Sequence, residues 1–142
     1  MTLQQDSLGF LLADVSRLMR RAFQQRLKGS SLTLAQARAL VYVSRHEGVR
    51  QVDLADMLEV QPITLARLID QLMDSRLVER RPDPKDRRAY RVFLTPASDP
   101  HLAAIEQVAA EIRAAALHDL DKQQAATLLL ALRKMRDNLA SR

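Results

Sequence analysis

The chain has 142 residues, of which 47% are hydrophobic and 27% charged, so it can form one compact domain with a helical extension. Its 22 Lys and Arg outnumber its 17 Asp and Glu, and the resulting formal net charge of +5 favours an anionic partner such as nucleic acid. Cysteine is absent from the sequence, which excludes disulfides, thiolate metal sites and cysteine nucleophiles.

The hydrophobic pattern predicts a long first helix and a shorter second one. Apolar residues recur at helical spacing from about Ser7 to Leu27, and Gly29 interrupts this pattern. Thr33 and Gln36 then have the spacing of a capping box, in which each residue bonds the backbone of the other. A second helix is therefore expected to begin directly after Thr33.

The centre of the chain has a helix-turn-helix pattern. A short helix is predicted from about Gln51 to Leu58, with Val52 among its inward residues. After a tight connection, Pro62 suits the first position of another helix, because its missing N–H needs no partner there. Apolar spacing extends this helix to about Ser75. Many helical pairs share such a pattern, so the residues that follow it decide its meaning.

Two alternating segments after the helix pair predict a β-hairpin. Residues 77–81 and 90–95 alternate apolar and polar side chains, and a cluster of turn-forming residues lies between them at 82–86. A hairpin directly after a helix-turn-helix defines a winged helix. The predicted fold is thus mainly α with a small β-hairpin.

Two further helices complete the predicted fold. The first begins at Pro96 or at Pro100, since each follows a residue suited to helix capping. The last begins at a predicted capping box of Asp121 and Gln124. Together with the first helix, these segments flank the winged helix-turn-helix.

The sequence resembles the MarR family of bacterial transcription regulators, especially its SlyA-like branch. The matching segments are 54–72, 77–80 and 83–88, the last reading DPKDRR, followed by Leu-Thr at 94–95. The order of elements matches over nearly the whole chain, and the wing motif is its most specific part. At Glu59 the family turn often has Gly, so we expect a strained or adjusted turn there. The resemblance implies a dimeric, DNA-binding regulator.

The second helix of the pair is the predicted DNA-reading element, because residues near the start of such a helix reach base edges in the major groove. Thr64 can hydrogen-bond, and its methyl can touch a thymine methyl. We hypothesise that Arg67 reads a base; the alternatives are a phosphate contact or a merely solvated helix face. Gln51 fits a phosphate contact and helix capping equally well. The predicted recognition-helix residues are Gln61, Pro62, Ile63, Thr64 and Arg67.

The tip of the predicted hairpin carries basic residues that a purely structural turn would not need. A narrow A·T-rich minor groove concentrates negative potential, and an inserted Arg88 gains from it. Asp86 lies two residues away and would orient the Arg88 guanidinium. Lys85 and Arg87 would face phosphates, and the alternative is a solvated charged turn. The family resemblance implies the same roles.

Both ends of the chain carry more apolar surface than one small winged domain can cover. One helix-turn-helix contacts few base pairs, so we expect a two-fold homodimer on a pseudo-palindromic, A·T-containing operator. Dimerisation helices are expected in 1–30 and 96–142, and the DNA-binding lobe in 31–95; the resemblance implies the same dimer. The predicted interface residues are Leu8, Leu11, Leu12, Leu117, Leu120, Leu128, Leu132, Met135 and Leu139.

A small-molecule effector is expected near the first helix. Similar regulators bind small, often anionic phenolic compounds in a cleft between the dimer helices and the DNA lobe. Arg17 and Arg20 would receive a carboxylate, with Ala37 and Val41 facing them from the second helix. The alternative is that both arginines face solvent. Effector binding would relieve repression, although the sequence alone leaves repression and activation both open.

The sequence contains no motif for catalysis or metal binding. A nucleophile elbow, a Gly-rich phosphate loop and an HExxH pair are lacking, and His46, His101 and His118 are scattered. We therefore expect no enzyme, cofactor or metal. No apolar run approaches the roughly 20 residues of a membrane span, and residues 1–6 do not resemble a signal peptide, so a cytoplasmic protein is expected. The remaining alternative is a winged-helix interaction module that does not bind DNA.

Overall fold

The computed structural model describes residues 7–141; the segment 1–6, where the sequence predicts no signal peptide, lies outside the described residues, as does residue 142. The described residues form a mainly α fold with a three-stranded sheet, which confirms the predicted winged helix-turn-helix. Within them, no helix combines the length and the apolar character needed to cross a membrane. The elements are α1 (Leu8–Arg26), α2 (Leu34–Arg45), β1 (Val49–Arg50), α3 (Gln51–Leu58), α4 (Pro62–Asp74), β2 (Val78–Asp83), β3 (Asp86–Leu94), α5 (Asp99–Ala116) and α6 (Lys122–Ala140).

Capping residues determine where several helices begin. The Thr33 hydroxyl accepts a hydrogen bond from the Gln36 backbone N–H at 3.1 Å, and the Gln36 side chain accepts one in return at 3.0 Å. Asp121 and Gln124 form the same reciprocal pair at the start of α6. A 3-10 turn at Pro96–Ser98 continues directly into α5, so both predicted starting points lie within one continuous helical entry.

The sheet is larger than the hairpin that the sequence predicts. β1 pairs antiparallel with β3, which gives the strand order β1-β3-β2. β2 and β3 also extend further than expected, so only Pro84 and Lys85 remain in the turn that was predicted over 82–86. The sequence pattern misses β1 because a two-residue strand is too short to show alternation.

The turn between α3 and α4 contains Glu59 in the left-handed conformation, with φ of 56°. The Glu59 N–H donates to the Asp56 carbonyl at 3.1 Å, and the Val60 N–H donates to the Ala55 carbonyl at 3.0 Å. These bonds close the end of α3. The left-handed region costs a side chain about 1 kcal/mol relative to glycine. The turn expected at Glu59 is therefore adjusted, without loss of the fold.

The hydrophobic core lies in the winged helix-turn-helix. α5 contributes Ile105 to this core, and Phe23 of α1 and the following C-cap residue Leu27 pack against it. By contrast α1 and α6, whose residues are all among those described, bury no side chain. The most deeply buried core residues are Leu40, Val43, Leu54, Leu65, Ile69, Leu72 and Val92.

Candidate nucleic-acid interface

The first turn of α4 projects from the surface of the lobe. Leu65 and Ile69 are fully buried on one face of this helix, so its other face points away from the core. Gln61 is the N-cap residue, and its side chain caps none of the described backbone groups. A helix presented in this way fits the major groove. The predicted recognition-helix residues, Gln61, Pro62, Ile63, Thr64 and Arg67, are all exposed on it.

A cleft of about 330 Å³ lies where the starts of α3 and α4 meet the wing formed by β2 and β3. It brings together Gln51 from α3, Pro62 from α4, and Arg88 from β3, which are separate in the sequence. Val52 also lines it and is 52% exposed, so the expected burial of Val52 is wrong. The second position of α3 faces the cleft, and the core side begins at Leu54. The remaining lining residues are Arg50, Asp86, Ala89 and Tyr90.

The basic wing residues lie mostly on a strand. Lys85 is in the turn, whereas Asp86, Arg87 and Arg88 are the first residues of β3, and all four are exposed. The Asp86 carboxylate accepts a hydrogen bond from the Arg88 backbone N–H at 3.0 Å. The predicted contact with the Arg88 guanidinium is therefore corrected: Asp86 holds the backbone of Arg88. The cause is local, because an Asp side chain readily reaches the N–H two residues on.

Arg80 on β2 joins the wing to both helices. Its Nε donates to Gln51 Oε1 at 2.8 Å, and its Nη2 donates to the Ala66 carbonyl at 3.1 Å. Its Nη1 lies 2.7 Å from Asp70 Oδ1. The Arg80 side chain is 20% exposed and Asp70 is 60% exposed, so solvent screens the Asp70 ion pair more than the two part-buried hydrogen bonds to Gln51 and Ala66. Sequence reasoning missed this role, because an Arg on a strand edge resembles a solvated residue.

The hydrogen bond from Arg80 shows that the Gln51 side chain does not cap α3. Gln51 is the first residue of α3, and Arg50 is the N-cap. The Gln51 side-chain oxygen accepts from Arg80, so it positions the wing strand, and the N-cap side chain makes no hydrogen bond to the start of α3.

Asp83 is a buried carboxylate at the base of the wing turn. It accepts the Lys85 backbone N–H at 3.0 Å, and its Oδ2 lies 3.5 Å from Arg50 Nε and 3.6 Å from Arg91 Nη2. The Lys85 hydrogen bond, together with the charges of Arg91 and Arg50, lowers the pKa of Asp83, against the desolvation that raises it. Arg91 also donates to the Gly48 carbonyl at 2.9 Å. These contacts connect all three strands.

Most predicted interface residues lie on the terminal helices, whereas Leu117 and Leu120 lie between α5 and α6. Most are exposed, and Leu139 retains 77% of its accessible surface. Leu117, Leu132 and Met135 are half-buried. The exposed ones are Leu8, Leu11, Leu12, Leu120, Leu128 and Leu139.

A largely apolar cavity of about 420 Å³ lies between α1 and α2. Three of the four predicted effector residues, Arg20, Ala37 and Val41, line it. Arg17 lies outside the described lining, and its Nη2 is 3.4 Å from Asp14 Oδ1 on the exposed side of α1. The two arginines are three positions apart and therefore lie about 60° apart around the axis of α1. Because α2 packs on the side of Arg20, Arg17 is left outside the lining.

The same cavity contains residues that the sequence analysis did not single out. Arg38 and Tyr42 line it from α2, each one position after a predicted residue. The Arg20 Nη1 donates to Ser16 Oγ at 2.8 Å, which holds the guanidinium close to α1. The other lining residues are apolar: Leu12, Val15, Met19, Phe23 and Leu34.

The fold and the cleft define a winged helix-turn-helix protein, and known proteins extend this description. A model of the MarR family matches residues 30–89. The solved structure of the transcriptional regulator PA3341 is 36% identical, covers 96% of this chain and 100% of its own, and superposes with a TM-score of 0.81. The chain therefore belongs to the MarR family, whose members are transcriptional regulators and not enzymes.

Two further solved structures show how widely the fold is shared. A MarR transcriptional regulator from Methanosarcina mazei Go1 is 27% identical, with 94% of this chain and 96% of that chain covered and a TM-score of 0.84. A mutant of MarR from E. coli, complexed with operator DNA, is also 27% identical, with 90% and 92% covered and a TM-score of 0.72. The predicted membership of the MarR family is thus confirmed, and the SlyA-like branch stays a prediction.

Proposed function

We propose that this chain is a dimeric, sequence-specific double-stranded DNA-binding regulator, and that it represses transcription until a small anionic or phenolic ligand binds. The observation that carries this proposal is the cleft in which Gln51, Pro62 and Arg88 meet. The starts of α4 and α3 and the basic strand β3 converge there. A DNA duplex fits this arrangement, because a helix suits its wide major groove and an arginine suits its narrow minor groove. The match to a MarR mutant bound to operator DNA supports the same function.

In this proposal α4 enters the major groove by its first turn. Gln61 and Thr64 offer hydrogen bonds to base edges, and Arg67 reads a guanine. The N–H groups at the start of α3, beside Gln51, which the N-cap side chain does not cap, would bind a phosphate. Arg67→Ala tests this role. If the variant binds all DNA sequences more weakly by the same factor, and if the slope of log affinity against log salt concentration becomes shallower by about one, Arg67 contacts a phosphate instead.

The wing would bind the minor groove beside α4. Arg88 inserts its guanidinium there, because a narrow A·T-rich groove has enhanced negative potential. Lys85 and Arg87 neutralise phosphates on either side. Asp86 supports Arg88 through its backbone contact, and Arg80 keeps the wing at a constant distance from α4.

The terminal helices would bring two such lobes together. α1 and α6 carry the exposed apolar stripes, and a two-fold dimer would cover them in both copies. The division into dimerisation helices at 1–30 and 96–142 and a lobe at 31–95 follows from this arrangement. Two half-sites about 34–36 Å apart then bind one dimer.

The cavity between α1 and α2 is the proposed effector site. Its apolar walls suit an aromatic or aliphatic body, and Arg20 and Arg38 suit a carboxylate or phenolate. It lies between a proposed dimerisation helix and the lobe, so a bound ligand would change the spacing of the two α4 helices. Such coupling is typically about 1–3 kcal/mol.

Fluorescence anisotropy with the promoter region of the chain's own gene tests the proposal. We expect tight binding to that duplex, weaker binding to a scrambled duplex of equal length, and a steep loss of affinity with salt. Equal binding to both duplexes would show a non-specific protein. Absence of binding to either would leave the winged-helix interaction module as the function.

A further inference from the structure

The DNA-facing side of the lobe exposes aliphatic carbon that the core does not use. Ile63 on α4 is 63% exposed and Val52 on α3 is 52% exposed. Pro62 lines the same cleft as Val52 and precedes Ile63 in the chain. We call Val52, Pro62 and Ile63 the apolar patch. Complete burial of a Val or Ile side chain is worth about 1.5–3 kcal/mol, and both side chains leave more than half of their surface in solvent, so much of this free energy is not gained in the lobe alone.

Positive charge borders the apolar patch. Arg67 follows Ile63 by four residues and therefore lies next to it on the same face of α4. Arg50 and Arg88 line the cleft together with Val52 and Pro62. A partner that fits this surface must combine negative charge with small apolar groups at its centre. A DNA major groove has this combination, because thymine alone displays a methyl group between phosphate-lined edges.

We propose that the apolar patch reads thymine 5-methyl groups, with Ile63 as the principal contact. The inference rests on the proposed DNA binding and deepens it, because it names the base that the first turn of α4 selects. Thr64 is also exposed and offers a second methyl group on the first turn of α4. The patch therefore specifies thymine by burial of carbon, whereas Arg67 and Gln61 act through hydrogen bonds.

This mode of reading has a measurable signature. Burial of one methyl group is worth about fourfold in affinity. A methyl contact releases no counterion, so its effect persists as salt rises, unlike that of a phosphate contact. Deoxyuridine differs from thymidine only by this methyl, and its pairing edge is the same. Replacement of one base by the other thus isolates the proposed contact.

The test uses the full chain and duplexes selected by it from a random library. Each thymine of the selected half-site is replaced in turn by deoxyuridine, and the Kd is measured at two salt concentrations. We expect a loss of about fourfold at one or more positions, equal at both salts. The Ile63→Ala variant should bind the thymine duplex about fourfold more weakly than the wild type does. On the deoxyuridine duplex, which already lacks the methyl group, the variant and the wild type should have nearly the same Kd.

Matched variants separate the patch from general effects. The quantity compared is the Kd for the deoxyuridine duplex divided by the Kd for the thymine duplex. Met57→Ala removes another exposed apolar side chain from α3, outside the patch, and should leave this ratio at its wild-type value. Val52→Ala should reduce the ratio less than Ile63→Ala does. Because Ile63 is largely exposed, its replacement leaves the fold intact, and unfolding curves verify this.

The outcomes distinguish the inference from the proposed function. If the chain binds its selected duplexes but every deoxyuridine duplex binds within twofold of the original, methyl reading is wrong and DNA binding stands. If Ile63→Ala loses affinity equally on both duplexes, Ile63 does not contact the methyl and the inference is wrong. If no duplex is selected or bound, both the inference and the proposed function are wrong.

Discussion

The lobe at 31–95 differs from the helices α1 and α6 in how deeply it buries its apolar side chains. In the lobe, Leu40, Leu54 and Leu65 are completely buried. α1 and α6, which the structure describes in full, bury none of theirs. The difference indicates that the lobe is stabilised by its own core, whereas α1 and α6 leave their apolar surface in solvent. In the proposed function, a second copy would cover that surface and the lobe would read DNA.

The largest expected effect is a loss of stability in the lobe. Leu40→Ala should lower the free energy of unfolding by about 2–5 kcal/mol, because it removes buried carbon and leaves a cavity. Urea denaturation at two protein concentrations measures it. Leu11→Ala, on exposed α1, should cost less, and its effect should change with protein concentration. If both variants lose the same free energy of unfolding, and if neither loss depends on protein concentration, the contrast between the two regions is wrong.

The second effect concerns assembly. Leu11→Glu combined with Leu128→Glu should raise the dimer dissociation constant about 100-fold or more, because burial of an unpaired charge costs several kcal/mol. Sedimentation at micromolar concentration measures the change. Met57→Glu places the same charge on an exposed apolar site of the lobe, and that variant should remain dimeric. A wild-type protein that sediments as a monomer would contradict the proposed role of the terminal helices.

The third effect concerns the connection between wing and helices. Arg80→Ala should cost about 1–3 kcal/mol of stability, because it leaves the part-buried Gln51 oxygen and Ala66 carbonyl without their donor. It should also weaken DNA binding, since the wing and α4 lose their common support. Arg81→Ala, the neighbouring residue on β2, removes an exposed ion pair with Glu79 and should cost less than about 1 kcal/mol. An Arg80→Lys variant with full DNA affinity would show that the three-way contact is unnecessary.

The fourth effect lies in DNA affinity alone. Arg88→Ala should weaken operator binding about tenfold or more, with an unchanged unfolding curve, because the guanidinium acts in the minor groove. Arg133→Ala, on α6, removes the same charge away from the lobe and should have little effect on the Kd. Unchanged affinity of Arg88→Ala at physiological salt would remove the wing from the proposed interface.

The smallest effect is a dependence on pH. The pKa of Asp83 lies below its ordinary value of 3.8, so the folded chain holds this carboxylate ionised where the unfolded chain begins to bind a proton. The resulting stability is present above the ordinary pKa and is lost as pH falls through the lower, folded pKa. Asp83→Asn should show a smaller loss of stability with acid than the wild type. Identical acid profiles would indicate that Asp83 contributes nothing.

The sequence predicts local features of this fold better than its long-range contacts. The capping boxes at Thr33 and Asp121 are visible because their partners are three residues away. The contact of Arg80 with Gln51 joins residues 29 positions apart, and no local pattern indicates it. Likewise the periodicity of α1 suggests both Arg17 and Arg20 for the cavity, and only packing against α2 distinguishes them.

The most direct test of the central claim, that two joined lobes read two half-sites, is to change the spacing between them. Insertion of about half a helical turn, roughly five base pairs, rotates one half-site to the other side of the duplex. We expect two chains per uninterrupted duplex and, after the insertion, an affinity no better than that of an isolated half-site. Equal affinity before and after the insertion, with one chain per duplex, would contradict the claim.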